Sequence, residues 1–274
     1  MIKGKQFVTI WRKESRMEQE KILQLQQGLT TAFMNQAISS NLAYRPQFIS
    51  NNYREGRKVF SSIENELLSC EEFSISVAFI TMGGITPLLQ TLRELECRGI
   101  PGRILTTDYL AFSDPKALRI LANFKNIELK MFVTENAKEG FHTKGYIFKK
   151  KEIYRMIVGS SNMTLSALTK NREWNTKIVS TDQGEYAQNL VSEFEQLWNA
   201  EESLSFEQFI ESYTKLYTKN KLIKKQRETA RQEEIPSLEM YRLQPNSMQI
   251  LYLPRCRHLA RKKHCRGIKR IPGI

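Results

Sequence analysis

The chain has 274 residues, and 42 Lys and Arg stand against 29 Asp and Glu for a net charge of +13. Hydrophobic residues make up 41% and charged residues 26%, the balance of a chain that folds around a core, and no run reaches the ~18 apolar residues of a membrane-spanning helix. The start of the chain holds too short an apolar run for a secretory signal, and the four cysteines do not form a disulfide framework, so the sequence reads as a reduced, cytoplasmic protein.

The elements follow in order. Ile22, Leu25, Leu29, Phe33 and Ala37 recur at helical spacing and predict an amphipathic helix within 14–38. Residues 41–52 read as a loop around Pro46, and 57–68 as a helix. The β-rich run 73–80 predicts a strand that Met82-Gly83-Gly84 ends. A helix at 85–97 closes at Gly99, and 103–109 is the next strand. Asp114-Pro115 opens a helix, with Asp as cap and Pro in the first turn. Strands follow at 127–133, 143–148 and 154–158, then a short helix at 163–170, a strand at 174–180 and a helix at 186–199. Two more polar helices cover 206–217 and 221–233. Strands alternating with helices predict an α/β layered fold with a central mixed β-sheet flanked by helices. The expected organisation is a helical N-terminal extension (1–40), an α/β domain (41–200), a helical linker (201–241) and a basic tail (242–274).

The charge is uneven. The tail carries nine basic residues and no acidic one, whereas 41–215 holds 21 basic and 22 acidic residues. Within that neutral body, 141–178 has eight basic residues against Glu152 and Glu173, a local +6. The tail also holds Cys256, His258, His264 and Cys265, but their spacing suits zinc poorly and the surrounding cations oppose it. No metal is expected.

One constellation carries chemistry. His142-Thr143-Lys144 precedes a strand, Gly159-Ser160-Ser161-Asn162 follows the next, and Glu173-Trp174-Asn175 comes after. On an extended chain His142 and Lys144 share a side. Gly159, Ser160 and Ser161 lie between a strand end and a helix start, where backbone N–H groups and hydroxyls suit a phosphate. An imidazole, a lysine point charge and a phosphate cradle are the parts phosphoryl transfer requires. Glu173 is placed to hold the second ring nitrogen of His142. Lys149, Lys150 and Lys151 are either nucleic-acid contacts or a solvated hairpin turn. Trp174 is expected to pack, Asp108 to cap a loop, and Cys70 and Cys97 to be partly buried.

With H-x-K at 142–144, G-S-x-N at 159–162 and E-x-N at 173–175, the sequence resembles the phospholipase D superfamily. The Asp of that motif is replaced by Lys149, with Glu152 as a candidate substitute. Segments AYRPQFISNNY, ISVAFITMGGITPLLQTL, GRILTTDYL, FHTKGYIF and VGSSNMTLSALTKNREWN, within 41–199, are similar to the nuclease-like domain at the N-terminus of bacterial superfamily 2 (DEAD/DEAH-type) helicases. Pro245-Asn246-Ser247-Met248-Gln249 resembles the P-N-x-x-Q segment that opens their motor, which implies truncation before that motor and a helicase domain in cis in a longer form.

The resemblance implies a metal-independent phosphodiesterase with no cofactor, acting on DNA through a phosphohistidine. His142, Lys144, Asn162 and Glu173 are the catalytic candidates. A single histidine outside the tail implies a homodimer that shares the site across a two-fold axis. No membrane partner is expected. A DNA-binding or dimerisation module without activity is the alternative, and a phospholipase the further one.

Overall fold

The structure is a computed structural model that describes residues 18–52 and 54–240, with side chains described except at 136 and 230–240. The chain divides into two units, 1–220 and 221–274. Residues 18–29 form helix α1, which runs into a π-helical turn at Thr30–Met34. Strand β1 is Gln47–Ile49, followed by α2 (Val59–Ser69), β2 (Glu72–Val77), α3 (Met82–Ile85) and α4 (Leu89–Cys97). Then come β3 (Gly102–Thr107), α5 (Pro115–Ala122), β4 (Ile127–Phe132), β5 (Lys144–Lys150) and β6 (Ile153–Gly159). The series ends with α6 (Leu165–Thr169), β7 (Asn175–Thr181), α7 (Glu185–Asn199), β8 (Ser203–Ser205) and α8 (Phe206–Met240).

The strands form one eight-stranded mixed sheet in the order β1-β7-β6-β5-β2-β3-β4-β8. β2, β3 and β4 run parallel, and every other pairing is antiparallel. Helices fill the crossovers of the parallel half, as parallel pairs require. The α/β fold expected from the alternating pattern is the one observed.

Side chains alternate across the sheet and build two main cores, with a smaller cluster of Leu25, Ile153 and Val179 beside α1. Ile104, Tyr146 and Ile157 pack on one face with residues of α2, α4, α5 and the start of α8. Their neighbours Leu105, Ile147 and Met156 pack on the other face against Phe194 and Trp198 of α7. The period of two converts directly into this three-layer arrangement. No described helix is long and apolar enough to cross a membrane.

Several local expectations change. The loop at 41–52 contains β1, which pairs antiparallel with β7. β8 likewise pairs with β4 without any strand having been expected there. The expected helix at 85–97 starts earlier, at α3, where the Thr81 hydroxyl accepts from Gly84 N at 3.3 Å. Pro87 then lies in a 3-10 turn, Thr86–Leu88, before α4 begins. The two helices expected at 206–217 and 221–233 are one helix, α8. At α5 the cap is as expected: the Asp114 carboxylate accepts from Lys116 N at 2.9 Å, with Pro115 in the first turn. Cys70 is buried, and burial pushes its thiol up to about 11, while Cys97 is exposed. The cysteine and histidine positions of the tail lie outside the described residues.

One buried ion cluster ties α2 to the antiparallel half. Lys177 Nζ on β7 donates to Glu66 Oε1 at 2.7 Å, and Arg155 Nε on β6 lies 3.7 Å from Glu66 Oε2. The Glu66 side chain is 8% exposed, so solvent screens these bonds weakly. Glu66→Gln keeps the shape and removes the charge. It is expected to cost about 1.5–3 kcal/mol, read as a lower urea midpoint at unchanged slope.

Candidate active site

One end of the sheet gathers the constellation. Val77 at the end of β2 pairs with Lys144 at the start of β5. Gly159 at the end of β6 pairs with Asn175 at the start of β7, which also pairs with Ile49 at the end of β1. His142 therefore stands just off the sheet, while the G-S-S-N and E-x-N segments leave and enter adjacent strands beside it.

His142 is exposed and lies between two aromatic rings. Its ring centroid is 6.2 Å from Phe79 and 6.4 Å from Tyr109, both edge-on. Lys144 Nζ sits 2.6 Å from His142 Nδ1 and donates to the His142 carbonyl at 2.8 Å. An ammonium beside Nδ1 makes that nitrogen the acceptor, which leaves the ring proton on Nε2. Burial holds the Lys144 ammonium below the ordinary lysine value of 10.5, an effect the Glu173 carboxylate opposes.

The neighbouring strand ends supply the polar groups. Asn162 Oδ1 accepts from Phe79 N at 3.1 Å, which leaves its NH₂ group as the available donor. Ser160 is exposed, and its hydroxyl donates to Glu173 Oε2 while accepting from Trp174 N at 3.1 Å. Glu173 is thus engaged by Ser160 and makes no hydrogen bond to His142 of its own chain among the described residues. The expected Glu173–His142 contact is absent within one chain.

Ser161 departs from expectation in another way. Its side chain is fully buried, with Ser161 N donating to Asn175 Oδ1 at 3.3 Å and Asn175 Nδ2 donating to Ser161 Oγ at 3.0 Å. The buried Tyr146 phenol donates to the Ser161 carbonyl at 3.0 Å, and burial, with the Glu173 charge adding to it, pushes that phenol well above its usual value. Ser160 N is likewise taken, by Trp174 O at 3.1 Å. A Cβ on Gly159 would meet Trp174 O at 2.2 Å, so this glycine permits the close approach of β6 to the Glu173–Asn175 segment. Ser161 and Gly159 are occupied in joining β6 to β7, and of the three Ser160 is the exposed one.

The local +6 divides in space. Lys149 and Lys150 stand at the far end of β5 and Lys151 in the turn beyond it, about 20 Å of strand from Lys144. Lys151 N donates to Glu71 Oε2 at 3.0 Å, and its φ of 53° closes the hairpin. Glu152 pairs there with Lys21 of α1 and does not substitute for the missing motif Asp at the site. Arg155 and Lys177 belong to the Glu66 cluster. Of the eight basic residues, Lys144 contacts His142, Lys170 lines a cleft with Asn162 and Glu173, and Arg172 lines a groove with Trp174.

Three features near the site were not singled out as site residues from sequence. Asp108 Oδ1 accepts from Thr134 N and Thr134 Oγ1, both at 2.8 Å, and so fixes the loop after β3. In that loop Leu110 and Ala111 take left-handed backbone (φ 56° and 47°), and Tyr109, Leu110 and Phe112 are exposed on the rim beside His142. Arg54, far from the motifs in sequence, lies with Trp174 in a groove beside the cluster. Phe79 and Tyr109 lie two residues beyond β2 and β3, inside runs that the sequence reads as strand, and nothing in the sequence marks Arg54.

Residues 64–198 hold all of His142, Lys144, Ser160, Asn162 and Glu173, and they match the family model described as "Cardiolipin synthase, PLD-like domain". The matched segment is thus similar to a phospholipase D-like domain. The chain is similar to NucT from Helicobacter pylori (18% identity, TM-score 0.44), with 59% of this chain and 99% of that chain covered. It is similar also to the phospholipase D family member Nuc from Salmonella typhimurium (18% identity, TM-score 0.47), again covering 59% and 99%. A third similarity, to yeast tyrosyl-DNA phosphodiesterase, has 13% identity and a TM-score of 0.39 over 64% of this chain and 40% of that chain. No curated protein matches the chain.

Proposed function

We propose that this protein is a phosphodiesterase that cleaves DNA through a phosphohistidine on His142, in a site shared by two copies of the chain. The observation that carries the reading is the contact between the exposed His142 ring and the Lys144 ammonium, with Asn162 and Ser160 on the adjoining strand ends. Phosphoryl transfer needs a nucleophile, an acid for the leaving oxygen and cations for the equatorial oxygens. One chain supplies the cation and one ring.

The proton positions favour a second copy. A ring that accepts at Nδ1 carries its proton on Nε2, and it acts as an acid only once Nδ1 is protonated as well, because a neutral imidazole does not give up its last proton. A nucleophilic ring needs the reverse, with Nδ1–H held by an acceptor. Glu173 does not serve the ring of its own chain, so in a two-fold dimer the carboxylate of one subunit is available to the ring of the other. The nucleophilic Nε2 then forms a bond to phosphorus as the P–O bond to the leaving oxygen breaks, and the other ring, starting as imidazolium, passes its Nε2 proton to that oxygen and is left neutral. Water reverses the sequence: its oxygen joins phosphorus, the P–N bond breaks, and the deprotonated ring takes the water proton. Lys144 and Asn162 stabilise the charge on the phosphoryl oxygens, and no metal takes part. Exposed Tyr109, Leu110 and Phe112 beside the ring give such an interface an apolar rim.

DNA is supported by the cations on this end of the sheet and by the similarity of 41–199 to a helicase-associated domain. The P-N-x-x-Q segment at 245–249 supports attachment to a helicase motor in a longer form. The test is cleavage of supercoiled plasmid and of a single-stranded oligonucleotide in excess EDTA, with phosphatidylglycerol vesicles in parallel. Chelator-resistant nicking or shortening of DNA is expected. Cleavage that appears only with a divalent cation, or turnover of lipid and not of DNA, would overturn the proposal.

A further inference from the structure

Trp174 is 73% exposed and Phe48 64%, in a chain whose other described tryptophan, Trp198, is buried. The two rings meet edge to face at 6.2 Å and 71°, so three of their four faces are left uncovered by the pair. Both are held by backbone hydrogen bonds or by a strand. Phe48 sits opposite Thr176 in the β1–β7 ladder, and Trp174 N is held by the Ser160 hydroxyl at 3.1 Å. Water-exposed aromatic faces fixed beside a reaction centre are unfavourable unless something covers them.

The same groove is cationic. It has a volume of about 680 Å³, and Arg54, Lys170 and Arg172 line it with the two rings. All three side chains are exposed, and none forms an ion pair among the described residues. The one carboxylate in the lining, Glu55, is paired with Arg57 at 2.9 Å. Lys170 also lines the adjoining cleft that contains Asn162 and Glu173. The groove and the reaction centre therefore share a wall.

We infer that this groove is a stacking subsite for an unpaired nucleotide next to the scissile phosphate, with a base on Trp174 and Phe48 and flanking phosphates on Arg54, Lys170 and Arg172. Aromatic faces that alternate with unpaired cations match a single strand, which offers base faces and phosphates together. A duplex keeps its base faces inside the stack and has only phosphates to give, so it gains nothing from the rings. The subsite rests on the proposed phosphodiesterase activity for its purpose, though not for its binding.

The test uses the full chain carrying His142→Ala, to prevent cleavage, and fluorescein-labelled oligothymidine against a hairpin duplex of equal phosphate count. Trp174→Ala in that background is expected to weaken single-strand binding by about 5- to 100-fold and to leave duplex binding within about twofold. Oligothymidine should also quench tryptophan fluorescence, and Trp174→Ala should remove that quench. Arg172→Glu should weaken both ligands and flatten the salt dependence. Equal loss on both ligands after Trp174→Ala, or no loss on the single strand, would overturn the subsite. Unchanged single-strand binding alongside EDTA-resistant DNA cleavage by the wild type would overturn it while the activity stands. Trp174-dependent binding by a wild type that cleaves nothing would uphold it while the activity fails.

Discussion

Replacing His142 with alanine is expected to lower DNA cleavage by about 10⁴-fold or more, with little change in thermal stability. The magnitude follows from the proposed two-fold site: one substitution removes both the nucleophile and the acid, because each subunit supplies one of two identical rings. The small stability cost follows from exposure and from position just outside β5, where the ring packs only edge-on against Phe79 and Tyr109. Mixing supplies a sharper measurement. In wild-type and His142→Ala chains allowed to exchange at equal amounts, active dimers need two intact rings, so activity falls to about a quarter. A self-sufficient monomer would give about half. Acid-labile, base-stable phosphorylation of the wild type during turnover, absent from the variant, would mark the covalent intermediate. An alanine variant within tenfold of wild type, or a mixture at half activity, would remove His142 or the shared site from the account.

The layers were readable because their cause is local. Ile104 and Leu105, or Tyr146 and Ile147, fall on opposite faces by the alternation of an extended chain, and each face found helices to cover it. β1 was not readable: three residues at a sheet edge have no period of their own, and β7 defines the strand. The motif was legible in order and in the His142–Lys144 pairing. Its internal division was not. Ser160 and Ser161 are the same residue type side by side, yet one is exposed and the other fully buried, because the chain turns its side chains alternately outward and inward as it leaves β6. Charge counting failed for a related reason. Lys149 is five residues from Lys144, but along a strand five residues are distance, not proximity. Arg54 is far away in sequence and reaches the groove through the short β1–β7 ladder. Trp174 was expected to pack, and it remains open because the three-residue β1 supplies only Phe48 beside it.

Lys144→Met is expected to reduce cleavage by about 10²–10³-fold, the loss typical of one preorganised charge at a developing anion. The pH dependence separates this cation from a merely structural lysine. Burial lowers the folded-state value of Lys144 below 10.5, and Glu173 only partly opposes it. Activity needs the charged form, so it should fall as pH rises through that lowered value, earlier than for an exposed lysine. Stability should move the other way. Between the lowered value and 10.5 the unfolded chain binds more protons at this position than the folded chain does, so the Lys144 contribution to stability rises with pH across that window. Other groups titrate near it: Lys21 is raised chiefly by its bond to Glu152, and the buried Tyr146 and Tyr213 phenols are raised by desolvation. The quantity to measure is therefore the difference between wild type and Lys144→Met, in both kcat and melting temperature, at each pH. Lys144→Arg supplies the control, because a guanidinium stays charged across the range and should carry the alkaline limb of activity upward even if its reach lowers the plateau. If the limb stays in place in the arginine variant, the group that titrates is not Lys144, and the ammonium beside His142 has no part in the chemical step.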